Sequence, residues 1–378
     1  MKLKRRTRLL FNILFAFAVV ATTTAICFWI VAMRVGDYIL SISNVEGGAE
    51  NRLMTFASVD LADDSLKHDV KELVEGDFRV AQSIRRRSYM SKGRFHLDIG
   101  PRSKVTGGPM DIASTEFNTL WLKVSGHIDN WWAHHRFEPD IMSNMVNVLD
   151  SRQKYKTCAV VGNSGILLEN NLGETIDSHE FVIRLNNARI HGFEIFVGSK
   201  TSLSFMNSNI LNRCSRGGGC FCHPYGVNVP IMMYISQAVH FLDYVVCNSS
   251  HKLPLTVTDP RLDVLCSRIV KYYSLKMFLK ETEKSIEAWG SAHGGVEFHY
   301  SSGMQAIMVA LGVCDKVSIF GFGKSGSARH HYHTNQKAEL GLHHYEAEYD
   351  FYEDLVNKPE AIPFVSNEFK FPTVEIHR

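Results

Sequence analysis

Two short apolar runs, CAVV at 158–161 and FVIRL at 181–185, alternate with small polar turns near the middle of the chain. The first breaks on Gly162-Asn163-Ser164-Gly165 and passes into Ile166-Leu167-Leu168-Glu169-Asn170, a pattern that predicts a strand, a turn and the start of a helix. The second contains Arg184 and gives way to Asn186 and Asn187. Parallel pairing of these runs places the Asn163 and Asn186 turns at one edge of a sheet, beyond the strand C-termini, where open α/β sheets take ligands. Turns of this composition offer a nucleotide backbone N–H groups and small side chains. Helical spacing recurs over 58–74, through Leu61, Leu66, Val70 and Leu73, and over 114–149, through Phe117, Leu120, Trp121, Val124, Ile128, Trp131 and Trp132. Further helices are predicted over 262–280, 304–311 and 345–355. Strands are predicted at 254–259 and at 317–320, the latter turning on Gly321-Phe322-Gly323. The apolar stretch 229–244 is short for a membrane span and reads as a buried helix or strand, while 289–297 reads as a loop. Strands alternating with helices make the fold α/β.

Residues 9–33 stand apart because they carry no charge. As a helix they reach roughly 37 Å at ~1.5 Å per residue, enough for a bilayer core. Lys2, Lys4, Arg5, Arg6 and Arg8 lie before the run and Arg34 alone just after it, which predicts a signal anchor with its N-terminus in the cytosol. The organisation read from this is a cytoplasmic tail at 1–8, the anchor at 9–33, a lumenal stem at 34–113 and a lumenal domain at 114–378. Net charge is +2, which excludes a polyanion-binding role by bulk electrostatics. With the domain lumenal, the seven of the eight cysteines that follow the anchor become disulfide candidates, those of the Cys214–Cys222 loop (CSRGGGCFC) included, and Asn248-Ser249-Ser250 becomes a glycosylation sequon.

Two further clusters carry chemistry. Tyr300-Ser301-Ser302-Gly303 precedes an apolar helix, so a Ser caps a helix start whose free N–H groups and dipole favour a phosphate. Arg329-His330-His331-Tyr332-His333 is followed by His343-His344-Tyr345-Glu346-Ala347-Glu348. A metal site, a pH-sensitive surface and acid/base chemistry all fit such a density of imidazoles. The metal reading lacks a His-Glu-x-x-His or His pair at i, i+4. In the acid/base reading His343 sits just before a helix whose dipole keeps the ring neutral, while Glu348 pulls the other way. There is no Asp-x-Asp pair to hold a cation against a departing diphosphate, which leaves His, Tyr, hydroxyl and backbone N–H groups for that task.

Together these stretches resemble the sialyltransferases of glycosyltransferase family 29. Residues 158–201 are similar to the family's long motif, and 301–323 (SSGMQAIMVALGVCDKVSIFGFG) to its short motif. His330-His331-Tyr332-His333 resembles the third motif, and His343 with Glu348 the very short one. FMNSNIL, CFCHPYG, TDPR and HHYHTNQKAEL are similar to plant sialyltransferase-like members. The resemblance implies a single-pass type II Golgi membrane protein with a Rossmann-like, GT-A-variant lumenal domain. It implies inverting transfer of an acidic keto-sugar, such as sialic acid, from a CMP-sugar to a glycoprotein or polysaccharide hydroxyl, with no metal or other cofactor. It implies nucleotide contacts from Asn163, Ser164, Asn186, Ser301, Ser302 and Gly303, a donor-phosphate contact from His331, a general base in His343 supported by Glu348, and a Cys158–Cys314 disulfide. After Thr201 the chain has Leu203–Ser208 where the animal enzymes have an aromatic-Pro-Glu-Ser segment, and its third motif ends in His333 rather than an aromatic or acidic residue. Both departures fall where acceptor or donor sugar is sensed, so CMP-Kdo as donor, or a lumenal scaffold without turnover, are the alternatives.

Overall fold

The computed structural model describes residues 48–60, 63–75, 115–145, 154–211, 224–226, 228–241, 244–245, 253, 255–293, 298–326, 328–334 and 343–378. The predicted anchor, the predicted stem except 48–60 and 63–75, Asn248, and Cys214, Cys220, Cys222 and Cys247 lie outside them. Among the described residues no helix is long and apolar enough to cross a membrane. The chain clusters into two units, Met1–Phe56 and Ala57–Arg378. Residues 48–56 are helical in the first, and everything below concerns the second.

Seven parallel strands form one sheet: β1 (Cys158–Val161), β2 (Phe181–Leu185), β3 (Leu203–Asn207), β4 (Ile231–Tyr234), β5 (Leu255–Val257), β6 (Lys316–Phe320) and β7 (Thr373–His377), in the order β5-β4-β3-β2-β1-β6-β7. Every residue of β1 and β2 is buried, which is why they read as apolar runs, broken only by the buried Arg184, rather than alternating ones. The chain winds outward from β1 to β5, then returns to the other side of β1 as β6. The order therefore reverses between β1 and β6, and open α/β sheets take ligands beyond the strand ends at such a reversal.

Five longer helices cover the sheet: α1 (Asp63–Val74), α2 (Thr115–Ala133), α3 (Pro260–Glu281), α4 (Ser302–Val313) and α5 (Tyr345–Asn357). The apolar stripe of α2 (Trp121, Val124, Ile128, Trp131) packs with Ile231, Met233 and Leu255 of the outer strands. α4 is buried along its whole length and is apolar all round, as a helix packed from every side must be. The disulfide Cys158–Cys314 joins the start of β1 to the residue after α4. Cys266, on α3, is a buried free thiol.

Two expectations are corrected. Residues 165–169 form a 3₁₀ turn rather than an α-helix, and the α-helical turn starts later, at Gly173–Asp177. The predicted loop at 289–297 begins with the helical turn Trp289–Ala292. The buried helix or strand expected within 229–244 is strand β4, buried throughout and followed by the 3₁₀ turn Ala238–His240. Strand β7 carries no strong apolar pattern, since Val374 alone is buried in it, and was not expected.

Candidate functional site

The β1 and β6 turns close on each other through contacts that exclude side chains. Gly162 N–H donates to the Phe320 carbonyl at 2.7 Å, and a Cβ on Gly162 would lie 2.5 Å from the Gly321 carbonyl oxygen. Gly321 has φ +74°, a left-handed conformation that glycine takes without strain. Ser164 Oγ donates to the Gly323 carbonyl at 2.9 Å, so this hydroxyl clasps the two turns together instead of facing open space. Asn163 is anchored by its main chain, its carbonyl accepting Tyr332 N–H at 2.8 Å. Its side-chain Oδ1 is buried and makes no hydrogen bond among the described residues. A buried acceptor without a donor calls for a ligand N–H or O–H.

A second cluster collects the ends of β2, β3 and β4 around the start of α4. Asn186, with φ +54°, is one of the few non-glycine residues in the left-handed region, a conformation that Asn tolerates. Its Oδ1 accepts Asn207 N–H at 3.1 Å, and its Nδ2 donates to Ser302 Oγ at 3.5 Å. Asn207 Nδ2 reaches the same Ser302 oxygen at 3.3 Å, and Tyr234 Oη lies 3.4 Å from it. Asn207 Oδ1 is left buried and unpartnered. The structure thus brings Asn186 and Ser302 together as expected. It adds Asn207 and Tyr234, which have no distinguishing sequence signal beyond ending their strands.

Ser301 caps α4: its Oγ accepts Met304 N–H at 3.2 Å. The same hydroxyl donates to Glu348 Oε2 at 2.5 Å, Ser301 N–H donates to Glu348 Oε1 at 2.6 Å, and Tyr352 Oη donates to Oε2 at 3.0 Å. Glu348 is 1% exposed. Glu348, expected as a support for His343, bonds the α4 N-terminus through Ser301 and so ties α5 to α4. Gly303 lies against Phe322, whose ring a Cβ would meet at 2.4 Å, and so fixes how close α4 approaches the β6 turn.

The histidines surround this edge. His343 precedes α5, as predicted, and its Nδ1 donates to the His299 carbonyl at 2.7 Å. A carbonyl can only accept, so Nδ1 carries the proton and Nε2 keeps its lone pair. Burial lowers the His343 pKa, the carbonyl contact opposes that, and neighbouring His330 adds to the lowering. The ring is thus neutral and basic at Nε2, with burial deciding what the helix dipole and Glu348 left open in the sequence. The next residue, His344, is held from α3: Trp289 Nε1 donates to Ser274 Oγ at 2.9 Å, and Ser274 lies 2.8 Å from His344 Nδ1. His331 stacks between His330 and His333, at 4.4 and 5.6 Å between ring centroids. Burial and then the two flanking imidazoles push its pKa down to about 4. Tyr332 is 3% exposed and donates to the Arg189 carbonyl at 2.7 Å. Arg184 is likewise turned inward, donating to the Lys200 carbonyl at 2.9 Å.

A family model, Glycosyltransferase family 29 (sialyltransferase), matches residues 117–359. The beta-1,6-galactosyltransferase GALT29A of Arabidopsis thaliana is 45% identical, over 99% of this chain and all of that protein. Sialyltransferase-like protein 1 of Oryza sativa subsp. japonica is 48% identical over 83% of this chain and 84% of its own length. A crystal structure of a mammalian sialyltransferase aligns with a TM-score of 0.39 and 22% identity, over 70% of this chain and 85% of that one.

Proposed function

The chain belongs to glycosyltransferase family 29, and on that premise we propose that it transfers a galactosyl group from a nucleotide-activated donor to a glycan hydroxyl, with inversion and without a metal. The observation that carries the catalytic part is His343, whose Nδ1–H is fixed on the His299 carbonyl while Nε2 stays free to take a proton. In the proposed step Nε2 accepts the acceptor hydroxyl's proton as that oxygen bonds to the anomeric carbon. The anomeric C–O bond to phosphate breaks, and its electron pair leaves with the phosphate oxygen. His331, neutral because its pKa is near 4, serves the departing phosphate as an N–H donor rather than as an acid. Asn163, Asn186 and Ser302 hold the nucleotide, and the Glu348–Ser301 bonds fix the helix start beside it.

Two observations favour a neutral hexose. The Arabidopsis relative named a beta-1,6-galactosyltransferase is similar along its full length. Asn207 Oδ1, in the segment that departs from the animal pattern, is an unpartnered buried acceptor, which suits a sugar hydroxyl and repels a carboxylate. The second reading is transfer of an acidic keto-sugar from CMP-sialic acid or CMP-Kdo, favoured by the resemblance of the four motifs to sialyltransferases.

Nucleotide release from UDP-galactose, CMP-sialic acid and CMP-Kdo, with and without glycan, decides between them. The expected result is glycan-dependent release from UDP-galactose that persists in EDTA. Release from a CMP donor alone supports the second reading. Nucleotide binding with no release from any donor points to a scaffold, and abolition by EDTA removes the metal-free mechanism.

A further inference from the structure

We propose that the cavity between α2 and the N-terminus of α3 is a distal subsite for the acceptor glycan, holding a neutral sugar ring some units away from the reacting hydroxyl; this rests on the transferase reading above. The cavity has a volume of about 380 Å³ and is bounded by Trp131, Phe241, Tyr244, Asp259 and Arg261, with His127 and Asn130 on the α2 side. That size falls within the roughly 300–1,000 Å³ of small-ligand sites.

Its walls have two characters. One is a box of rings: Tyr244 meets His127 edge-on at 5.1 Å and Phe241 at 6.0 Å, and Phe241 meets Trp131 at 6.0 Å. A pyranose presents C–H bonds on one face, and these pack on the electron-rich face of an aromatic ring while the hydroxyls point outward. The other wall is a fork. Arg261 Nε donates to Asp259 Oδ1 at 2.9 Å and Nη2 to Oδ2 at 2.6 Å, so carboxylate and guanidinium lie in one plane. Asp259 also caps α3, accepting Arg261 N–H at 2.9 Å. The positive end of the helix is thus answered by the carboxylate, and the carboxylate by the guanidinium. The wall offers fixed acceptors and donors with little net charge, which fits vicinal hydroxyls and not a phosphate. On α2, His134 Nδ1 donates to the Asn130 carbonyl at 2.8 Å, which turns its Nε2 into one more acceptor.

The location fits a chain-like acceptor. Residues 257–259 run off the C-terminal end of β5, the same edge that carries Asn207 at the end of β3 and Tyr234 at the end of β4. β5 lies three strands from β2 and four from β1. At ~4.8 Å per strand that is about 14–19 Å from the nucleotide edge, a gap that an oligosaccharide bridges and a single sugar does not.

The test uses Tyr244→Ala and Asn130→Ala in the full chain. Asn130 is exposed on α2 and serves if the half-buried Tyr244 proves costly to folding. With β-linked galacto-oligosaccharides of increasing length, both variants should raise KM for the longest acceptor about ten-fold. KM for the shortest acceptor, KM for the donor, and kcat should stay as in the wild type. Equal effects on long and short acceptors, or none on the long ones, overturn the subsite. Saturation-transfer NMR of the same oligosaccharides without donor provides a readout independent of turnover. Contacts present in the wild type and lost in both variants support the subsite even if no transfer is found, so failure of the transferase reading is seen separately. Absence of oligosaccharide binding to the wild type overturns it.

Discussion

His343 and Glu348 lie five residues apart, and the structure gives them different tasks. His343 is tested by pH and by deletion. Its folded pKa is depressed by burial, so the neutral ring persists above about 6.5, the ordinary imidazole value. kcat/KM should be flat above that value and fall only as the pH drops below it, one proton being taken up on the acid limb. His343→Ala should lower kcat by roughly 10²–10⁴, the usual range for a general base, with nucleotide affinity unchanged. Equal loss of affinity and turnover would make His343 a structural residue. Glu348 acts through Ser301, accepting both its N–H and its hydroxyl in a buried position. Glu348→Ala strands those donors at a cost of about 1–3 kcal/mol each, whereas Glu348→Gln keeps one acceptor. Thermal unfolding of Glu348→Ala, Ser301→Ala and the double variant should show strong coupling, the double costing much less than the sum. Additive losses would mean that the two side chains do not act on one another.

At the level of elements, the turns rather than the strands carry specificity, and glycine decides how close they come. A Cβ on Gly162 would sit 2.5 Å from the Gly321 carbonyl oxygen, an atom of main chain that cannot swing away. Gly126, on α2, has nothing within 4 Å of an added Cβ. Gly162→Ala should therefore lower Tm and weaken nucleotide binding at least ten-fold, while Gly126→Ala should stabilise by up to about 1 kcal/mol through helix propensity. Tm and nucleotide titration check both, and a neutral Gly162→Ala would show that the approach of the β1 and β6 turns does not rest on that contact. These elements also show what the sequence reveals. β1 and β2 were legible because buried parallel strands are mostly apolar, with Arg184 the one exception in these two, and Ser301 because a cap precedes an apolar helix. β7 was not legible, since an edge strand needs few buried side chains. Asn207 and Tyr234 stayed hidden because their role comes from sharing Ser302 Oγ across three strands, a relation that chain order does not encode. The partner of Glu348 was missed for a like reason: 47 residues separate it from Ser301, while His343 lies nearby in sequence.

Across the molecule, Asp263 is the junction between the two regions that the proposals concern. It lies on α3, accepts Thr258 Oγ1 at 3.0 Å from the segment leaving β5, and accepts the Gln305 amide of α4. Thr258 borders the glycan cavity and α4 starts at the nucleotide cluster, so one buried carboxyl couples their supports. Burial pushes its pKa up to about 7, with Asp259 adding and the Gln305 and Thr258 bonds opposing. The folded state therefore holds this proton where the unfolded chain, near ~3.9, has released it. Stability from Asp263 is present at low pH and is lost as the pH rises toward about 7. His299 and His331 work the other way: their folded pKa values are near 4, so their contribution is full above about 6.5 and is lost as the pH falls toward 4. A stability profile of the wild type alone mixes these opposing slopes, and the difference from Asp263→Asn isolates one of them. That variant keeps a side-chain oxygen for Gln305 and Thr258 but never ionises. Its Tm relative to the wild type should rise steadily between pH 5 and pH 7 and level off above, by an amount on the order of 1–4 kcal/mol in unfolding free energy. A difference that stays constant across that range would mean that Asp263 is ionised throughout, and the two helices would then be joined by a buried charge rather than by a shared proton.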